Sequence, residues 1–297
     1  MPDPEPSPLG RPQAPAQGVR SGGVLLVLGG ALFWSTSGVF LKLLTLPPLQ
    51  IAAVRALIAG LALAPFLPRM AWRWDWRLPP LVLGYTATVL LFNLSIRATT
   101  AANAIALVYT APIWVFGLTL LTQRRGLWRE AVPVAVVAVG LAVLLAEPAR
   151  GTSLQGNLMG MGAGLGFGVF TFLIARMPQP GISLVSLCNL AAAALLAALQ
   201  PGVLNLAPLA AREWLILAFL GVFQIALGHV LFTAGLRRIP ATQASILALA
   251  EPVLNPLWVF LFVGEVPSRY GLAGLAIILG GVLADFLARR RAPSRGG

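Results

Sequence analysis

"LFNLSIRATTAANAIALVYTAPI" (residues 91–113) and "LFTAGLRRIPATQASILALAEPV" (residues 231–253) lie over one another at a constant offset of 140. Leu91/Leu231, Phe92/Phe232, Arg97/Arg237, Ala101/Ala241, Ala104/Ala244, Leu107/Leu247 and Pro112/Pro252 coincide, and Gly140 later falls on Gly280 at the same offset. Matches of Ala and Leu carry little weight in a chain rich in both. Arg, Phe and Pro are scarcer here, so their coincidence marks an internal repeat.

The repeat sits in an apolar chain. Of 297 residues, 58% are hydrophobic and 10% charged, whereas soluble domains carry about 25% charged residues. Apolar runs of roughly twenty residues, each long enough to cross a hydrocarbon core of about 30 Å as a helix, recur along nearly the whole length. The segments of about ten residues with alternating polarity that build a membrane β-barrel do not appear. The sequence predicts an all-α polytopic membrane protein with ten spans, near 23–45, 49–67, 78–96, 99–122, 127–146, 154–175, 182–199, 213–235, 241–262 and 269–288.

Loop charges test that count. With the N-terminus cytoplasmic, inside loops hold Arg69, Arg73, Arg77, Arg124, Arg125, Arg129, Arg176, Arg237 and Arg238, and the C-terminus adds Arg289, Arg290, Arg291 and Arg295. Outside loops hold Arg97, Arg150, Arg212 and Arg269, with Lys42 near the outer end of the first span. That asymmetry follows the positive-inside rule, and one span more or fewer would scramble it. Both termini are expected in the cytoplasm and the chain in the cell membrane. Topology also accounts for the net charge of +12 better than a nucleic-acid partner would.

Spans three to five match spans eight to ten, so the repeat is five helices long, and an odd number forces the second copy to insert upside down. Inverted repeats of this kind mark secondary transporters. Residues 23–146 and 154–288 are expected to form the two halves. Residues 1–22, rich in proline, read as a disordered cytoplasmic tail rather than a cleavable signal, and 289–297 as a basic tail.

"ALFWSTSGVF" in the first span, "AAVRALIAGL" in the second, "AEPV" in the ninth and "FVGEVPSRYGLAGLAIILGGVL" from Phe262 onward resemble the drug/metabolite transporter superfamily, EamA type, over roughly residues 23–288. Arg124 and Arg125 depart from the pattern, standing where Gly264 and Glu265 stand in the second half. The resemblance implies ten helices in two five-helix halves and transport of a small metabolite. Export of amino acids or related amphipathic solutes is the expectation, with uptake by the same fold as the alternative. No Walker motif, metal cluster or catalytic triad can be assembled, so neither an enzyme nor a channel fits as well, and no cofactor is expected. Expected partners are the substrate and the bilayer; a homodimer is compatible with the reading.

Substrate in such folds binds near the bilayer midplane, some ten to twelve residues into each span. Trp34, Ser37, Tyr109, Thr110 and Glu251 fall at that depth; Tyr85, Asn93 and Asn255 are further cavity candidates, with polar contacts between helices the default role for each. Pro112 and Pro252 are expected kinks that either shape the bundle or line the cavity. Glu251 has Ala111 as its repeat mate, so symmetry does not require it; it caps loosened backbone, contacts substrate or carries a proton. Arg55 lies at similar depth, giving an expected Arg55–Glu251 ion pair, with snorkelling to the headgroups as the alternative. His229 is a second proton candidate or a packing histidine. Gly156, Gly160, Gly164 and Gly168 recur every four residues, a stripe suited to close helix contact.

Overall fold

The computed structural model describes residues 17–69, 75–99, 101–122, 128–146, 153–205, 209–264 and 269–291. Most of the tail at 1–22 and the tail at 292–297, together with Arg73, Arg124, Arg125, Arg150 and Glu265, lie outside them, as do the side chains of Lys42, Arg97, Asn103, Arg129 and Asp285.

The described residues form helices and no strand. They are α1 (Gln17–Ser35), α2 (Ser37–Lys42), α3 (Pro48–Leu63, continued by a 3-10 stretch Ala64–Arg69), α4 (Leu78–Ala98), α5 (Ala101–Val108), α6 (Ala111–Thr122), α7 (Trp128–Leu145) and α8 (Leu154–Ile174). There follow α9 (Gly181–Leu199), α10 (Ala211–Phe219), a π-helical turn Leu220–Leu227, α11 (Gly228–Leu236), α12 (Ala241–Ala248), α13 (Ala250–Val263) and α14 (Arg269–Arg291). Helix α1 starts at Gln17, so the end of the expected tail at 1–22 is already helical, leading without interruption into the apolar run.

Among the described residues, seven stretches are long and apolar enough to cross a membrane: Pro48–Arg69, Leu78–Ser95, Ala104–Thr122, Leu154–Ile174, Gly181–Leu199, Ala211–Leu236 and Ala241–Phe262. Shorter apolar helical stretches lie at Ser21–Ser35, Ala131–Val143 and Leu272–Gly281. The chain is a polytopic helical membrane protein. Leu25, Leu83, Leu121 and Phe262 are each more than 60% exposed, the outward apolar surface that hydrocarbon accepts and water does not.

The helices pair in matching sets. Helix α4 lies along α8 as α11 lies along α1; α5 and α6 cross α8 as α12 and α13 cross α1; α3 packs on α9 and α7 on α14. Small residues permit the closest of these approaches. A Cβ on Gly166 would stand 2.6 Å from the Gly84 carbonyl and 2.8 Å from Thr88 Oγ1, and one on Gly156 would stand 2.6 Å from the Ala98 carbonyl carbon. Gly166 thus faces the middle of α4, while the stripe Gly156, Gly160, Gly164 and Gly168 meets the end of α4 at Ala98, Leu107 on α5, Thr110 between α5 and α6, and Trp114 on α6. Ser95 and Ser153 fasten it by donating to the carbonyls of Gly156 (2.8 Å) and Ala98 (2.5 Å).

The two ends of the bundle differ. At one, Leu44, Ile51, Val54, Ile216, Leu217 and Leu220 form a buried apolar cluster, with Phe40 and Phe219 4.6 Å apart. Above it the Thr45 hydroxyl donates to Glu213 Oε1 at 2.6 Å. At the other end a cavity of about 370 Å³ opens among Thr119, Arg176, Leu236, Pro240 and Thr242. Near that end Asp75 accepts from the backbone N and Nε of Arg77 at 2.9 and 3.0 Å, and these bonds hold its carboxyl below the usual carboxylate range.

Gly166→Ala should destabilise the protein by about 1–3 kcal/mol, since the α4–α8 backbones must part. Gly117, which has nothing within 4 Å of a Cβ, should tolerate Ala and gain about 0.5–1 kcal/mol of helix propensity. Thermal unfolding of both variants in detergent distinguishes them.

Candidate functional site

Helices α5–α6 and α12–α13 are each broken in the middle, at Tyr109–Thr110 and at Leu249. Proline lacks an amide hydrogen and its ring clashes with the carbonyl four residues earlier. For Pro112 that carbonyl belongs to Val108, and for Pro252 to Ala248, the last residues of α5 and α12. Each proline therefore lies four residues beyond the last residue of the helix before it, and the two breaks occupy equivalent places in the repeat. The turn at Tyr109–Thr110 closes with 3-10 bonds, Tyr109 N to Ala106 O at 3.1 Å and Thr110 N to Leu107 O at 3.2 Å; Leu249 N does the same to Ile246 O at 3.1 Å.

The breaks bring polar side chains together. The Tyr109 hydroxyl donates to the Glu251 carboxylate, joining the break of one broken helix to the first turn beyond the break of the other. Thr110 turns inward on its own helix, donating to Leu107 O at 2.7 Å and accepting from Trp114 Nε1 at 3.0 Å. A third interruption, at Thr36 between α1 and α2, lies alongside. There Ser35 donates to Leu32 O at 2.7 Å and accepts from Trp258 Nε1 at 2.9 Å, tying α13 to the end of α1.

Arg55 does not pair with Glu251 within 4.0 Å. Its Nη2 donates to Gln224 Oε1 on the π turn, and the Gln224 amide lies 3.5 Å from the Trp34 carbonyl. The partner differs from the expected one because the wide π turn carries Gln224 over α3, while Glu251 is held by Tyr109. Gln224 is buried, whereas Arg55 and Glu251 are each partly exposed.

His229 is packed as a ring. Its Nδ1–H donates to the Ile225 carbonyl at 2.9 Å, and Trp34, Tyr85 and Phe170 surround it at centroid separations of 4.8, 5.4 and 6.0 Å. The Tyr85 hydroxyl donates to Asn189 Oδ1 at 2.8 Å. Asn93 turns back to its own helix, its amide donating to Val89 O at 2.7 Å. Asn255 is buried in α13, the helix bearing Trp258, and Ser37 is half-buried at the start of α2.

Two contributors are not singled out by the sequence. Asn189 is one amide in the apolar run of α9, and Trp258 is one more aromatic in an apolar helix; each becomes visible only when a hydrogen bond crosses to a different element. Gln224 is legible as a polar residue inside a span, but nothing in the sequence signals the π turn.

Gln224→Leu should remove the acceptor of the Arg55 guanidinium and cost about 1.5–3 kcal/mol. The double variant Arg55→Met/Gln224→Leu should recover most of that loss. A double-mutant cycle of detergent unfolding midpoints measures the coupling.

The chain is similar to known proteins along nearly its whole length. A solved crystal structure superposes with a TM-score of 0.76 over 92% of this chain and 99% of its own, at 22% identity, a likeness of fold alone. An uncharacterized transporter of Archaeoglobus fulgidus is 30% identical over 267 residues, which is 89% of this chain and 96% of that one. The uncharacterized transporter YwfM of Bacillus subtilis is 28% identical over 280 residues, 90% of this chain and 94% of its own. The model of the EamA-like transporter family matches twice, at residues 21–146 and 154–284. The chain belongs to the EamA-like transporter family, within the drug/metabolite transporter superfamily.

Proposed function

We propose that the chain is a secondary transporter of the cell membrane that exports a small amphipathic metabolite, an amino acid or a relative of one. It works by alternating access between two inverted five-helix halves, with ten spans and both termini cytoplasmic. The observation that carries this reading is the pair of helix breaks at repeat-related positions, joined by the Tyr109–Glu251 hydrogen bond. Broken helices that meet at mid-depth and present polar groups there are the usual site architecture of inverted-repeat transporters.

Other features support it. The matched helix pairings are those a pseudo-two-fold axis would generate, with α3–α9 and α7–α14 lying across it. The sealed end, with the Thr45–Glu213 bond, belongs outside by the arginine distribution, and the end with the cavity belongs inside. Thr242 at that cavity is nine residues from Glu251, about 13 Å along a helix. A solute entering from the cytoplasm therefore meets the breaks midway. Glu251 rather than His229 carries coupling protons in this account, because the His229 ring is enclosed by aromatic groups and anchored through Nδ1.

Glu251→Gln in proteoliposomes should give folded protein that sustains counterflow at reduced substrate affinity and no longer responds to an imposed pH gradient. A folded variant still driven by the gradient would remove the proton role. Absence of counterflow for every solute in a metabolite panel with wild-type protein would overturn the transporter reading.

A further inference from the structure

The cavity of about 370 Å³ at the end of the bundle away from Thr45 and Glu213 is walled by the last residues of α8 and α11 and the first of α12. Helix α12 begins there uncapped: its N-cap is Pro240, no side chain bonds its leading amides, and its first turn holds no acid. The Ala244 amide donates to Pro240 O at 2.9 Å, whereas those of Ala241, Thr242 and Gln243 find no acceptor among the described residues. Thr242 lines the cavity and is only 1% exposed, yet its hydroxyl has no hydrogen-bond partner among the described residues. Thr171 Oγ1, one turn before the cavity-lining Ala175 on α8, is also buried without a partner. A buried hydroxyl in that condition costs free energy until a partner arrives. Arg176 lines the same cavity. Its guanidinium lies over the Phe172 ring, Cζ 3.6 Å from the centroid, and its Nη1 donates to Phe172 O at 2.8 Å. Those contacts fix the group while leaving Nε and Nη2 without partners among the described residues. Asp75, an acid near this end, is already engaged by Arg77, whose Nη1 in turn holds the Arg176 carbonyl at 2.9 Å.

We propose that this cavity binds a phosphate group, held between the Arg176 guanidinium and the uncapped start of α12, with the Thr242 hydroxyl as a further donor. A guanidinium presents a planar fork of N–H groups that matches two oxygens of an oxyanion. The leading amides of a helix, at the positive end of its dipole, are the complementary backbone receptor. A cation would meet positive charge from both, and a neutral solute would leave Arg176 without a counter-charge. Leu236, Ile239 and Pro240 complete the lining with apolar surface that strengthens the electrostatic contacts by excluding water. The cavity is larger than a phosphate group needs, so the molecule that carries the group can follow it in. The site goes beyond the transport reading and uses no group at the helix breaks, Thr242 standing nine residues before Glu251. Free phosphate and the headgroup of an anionic phospholipid share this chemistry, and the two arms of the test separate them.

In the first arm the full-length protein in dodecyl maltoside and Tris chloride is titrated with inorganic phosphate at constant ionic strength, and the thermal unfolding midpoint is followed. The expected result is a saturable rise whose apparent affinity falls about tenfold in Arg176→Gln and about threefold in Thr242→Val, as loss of a charged and a neutral hydrogen bond should give. Arg69→Gln should titrate like the wild type, because Arg69 also stacks on a ring, that of Phe66 at 4.7 Å, but does not line the cavity. In the second arm, native mass spectrometry compares retention of phosphatidylglycerol and phosphatidylcholine by the same proteins. Phosphate binding with that order of variants establishes a site for the free anion. Selective retention of phosphatidylglycerol, lost in Arg176→Gln and without a phosphate response, establishes the same site with a lipid headgroup as its ligand. Binding in neither arm, or binding that the cavity variants weaken no more than Arg69→Gln does, overturns the site. Should Arg176→Gln fail to fold, Thr242→Val decides in both arms. None of these outcomes bears on the transport reading, which counterflow tests separately.

Discussion

In hydrocarbon an unpaired backbone carbonyl or amide costs several kcal/mol, so a spanning helix breaks only where protein or a polar cavity receives the freed groups. Two spanning stretches of this chain break at mid-length, each three residues ahead of a proline. The remaining architecture can be understood as what encloses those breaks. Helix α8, with its glycine face, closes over α5–α6, and α1 closes over α12–α13. The tight α4–α8 contact and its counterpart between α11 and α1 hold those covers in place.

The same constraint governs the charges. Arg55 and Glu251 sit deep in a bundle whose outer surface is Leu, Val and Phe, and each is retained through a hydrogen bond to a group made available by irregular helix: Tyr109 at a break, Gln224 on a π turn. Regular helices would have pointed these partners elsewhere. The irregularities, the polar network and the partly exposed charges are therefore one feature, and the family's transport activity is the reason such a feature would persist in a membrane.

Much of this was legible in the sequence, and the boundary is physical. Apolar run length locates the helices because the bilayer sets it, and the coincidence of Pro112 with Pro252 locates the breaks because proline acts locally. The glycine stripe reports close packing for the same reason: what a missing Cβ permits depends on helical spacing alone. Partner choice is different. Arg55 reaches Gln224 rather than Glu251 because a π turn 169 residues away in sequence rotates that amide into place, and Trp258 finds Ser35 across 223 residues. Such pairings depend on the mutual rotation of whole helices, which no local pattern records. The start of α1 at Gln17 shows the reverse case, where an apolar helix extends into polar sequence that composition alone assigns to a tail.

The central claim is that solute crosses between two halves that open alternately around the paired breaks. The most direct measurement is transport by a Thr45→Cys/Glu213→Cys variant before and after a short thiol cross-link, with native Cys188 buried in α9. The account predicts that tying α10 to the segment before α3 holds that end shut, abolishes counterflow, and leaves it restorable by reduction. Undiminished flux through the cross-linked protein would contradict it.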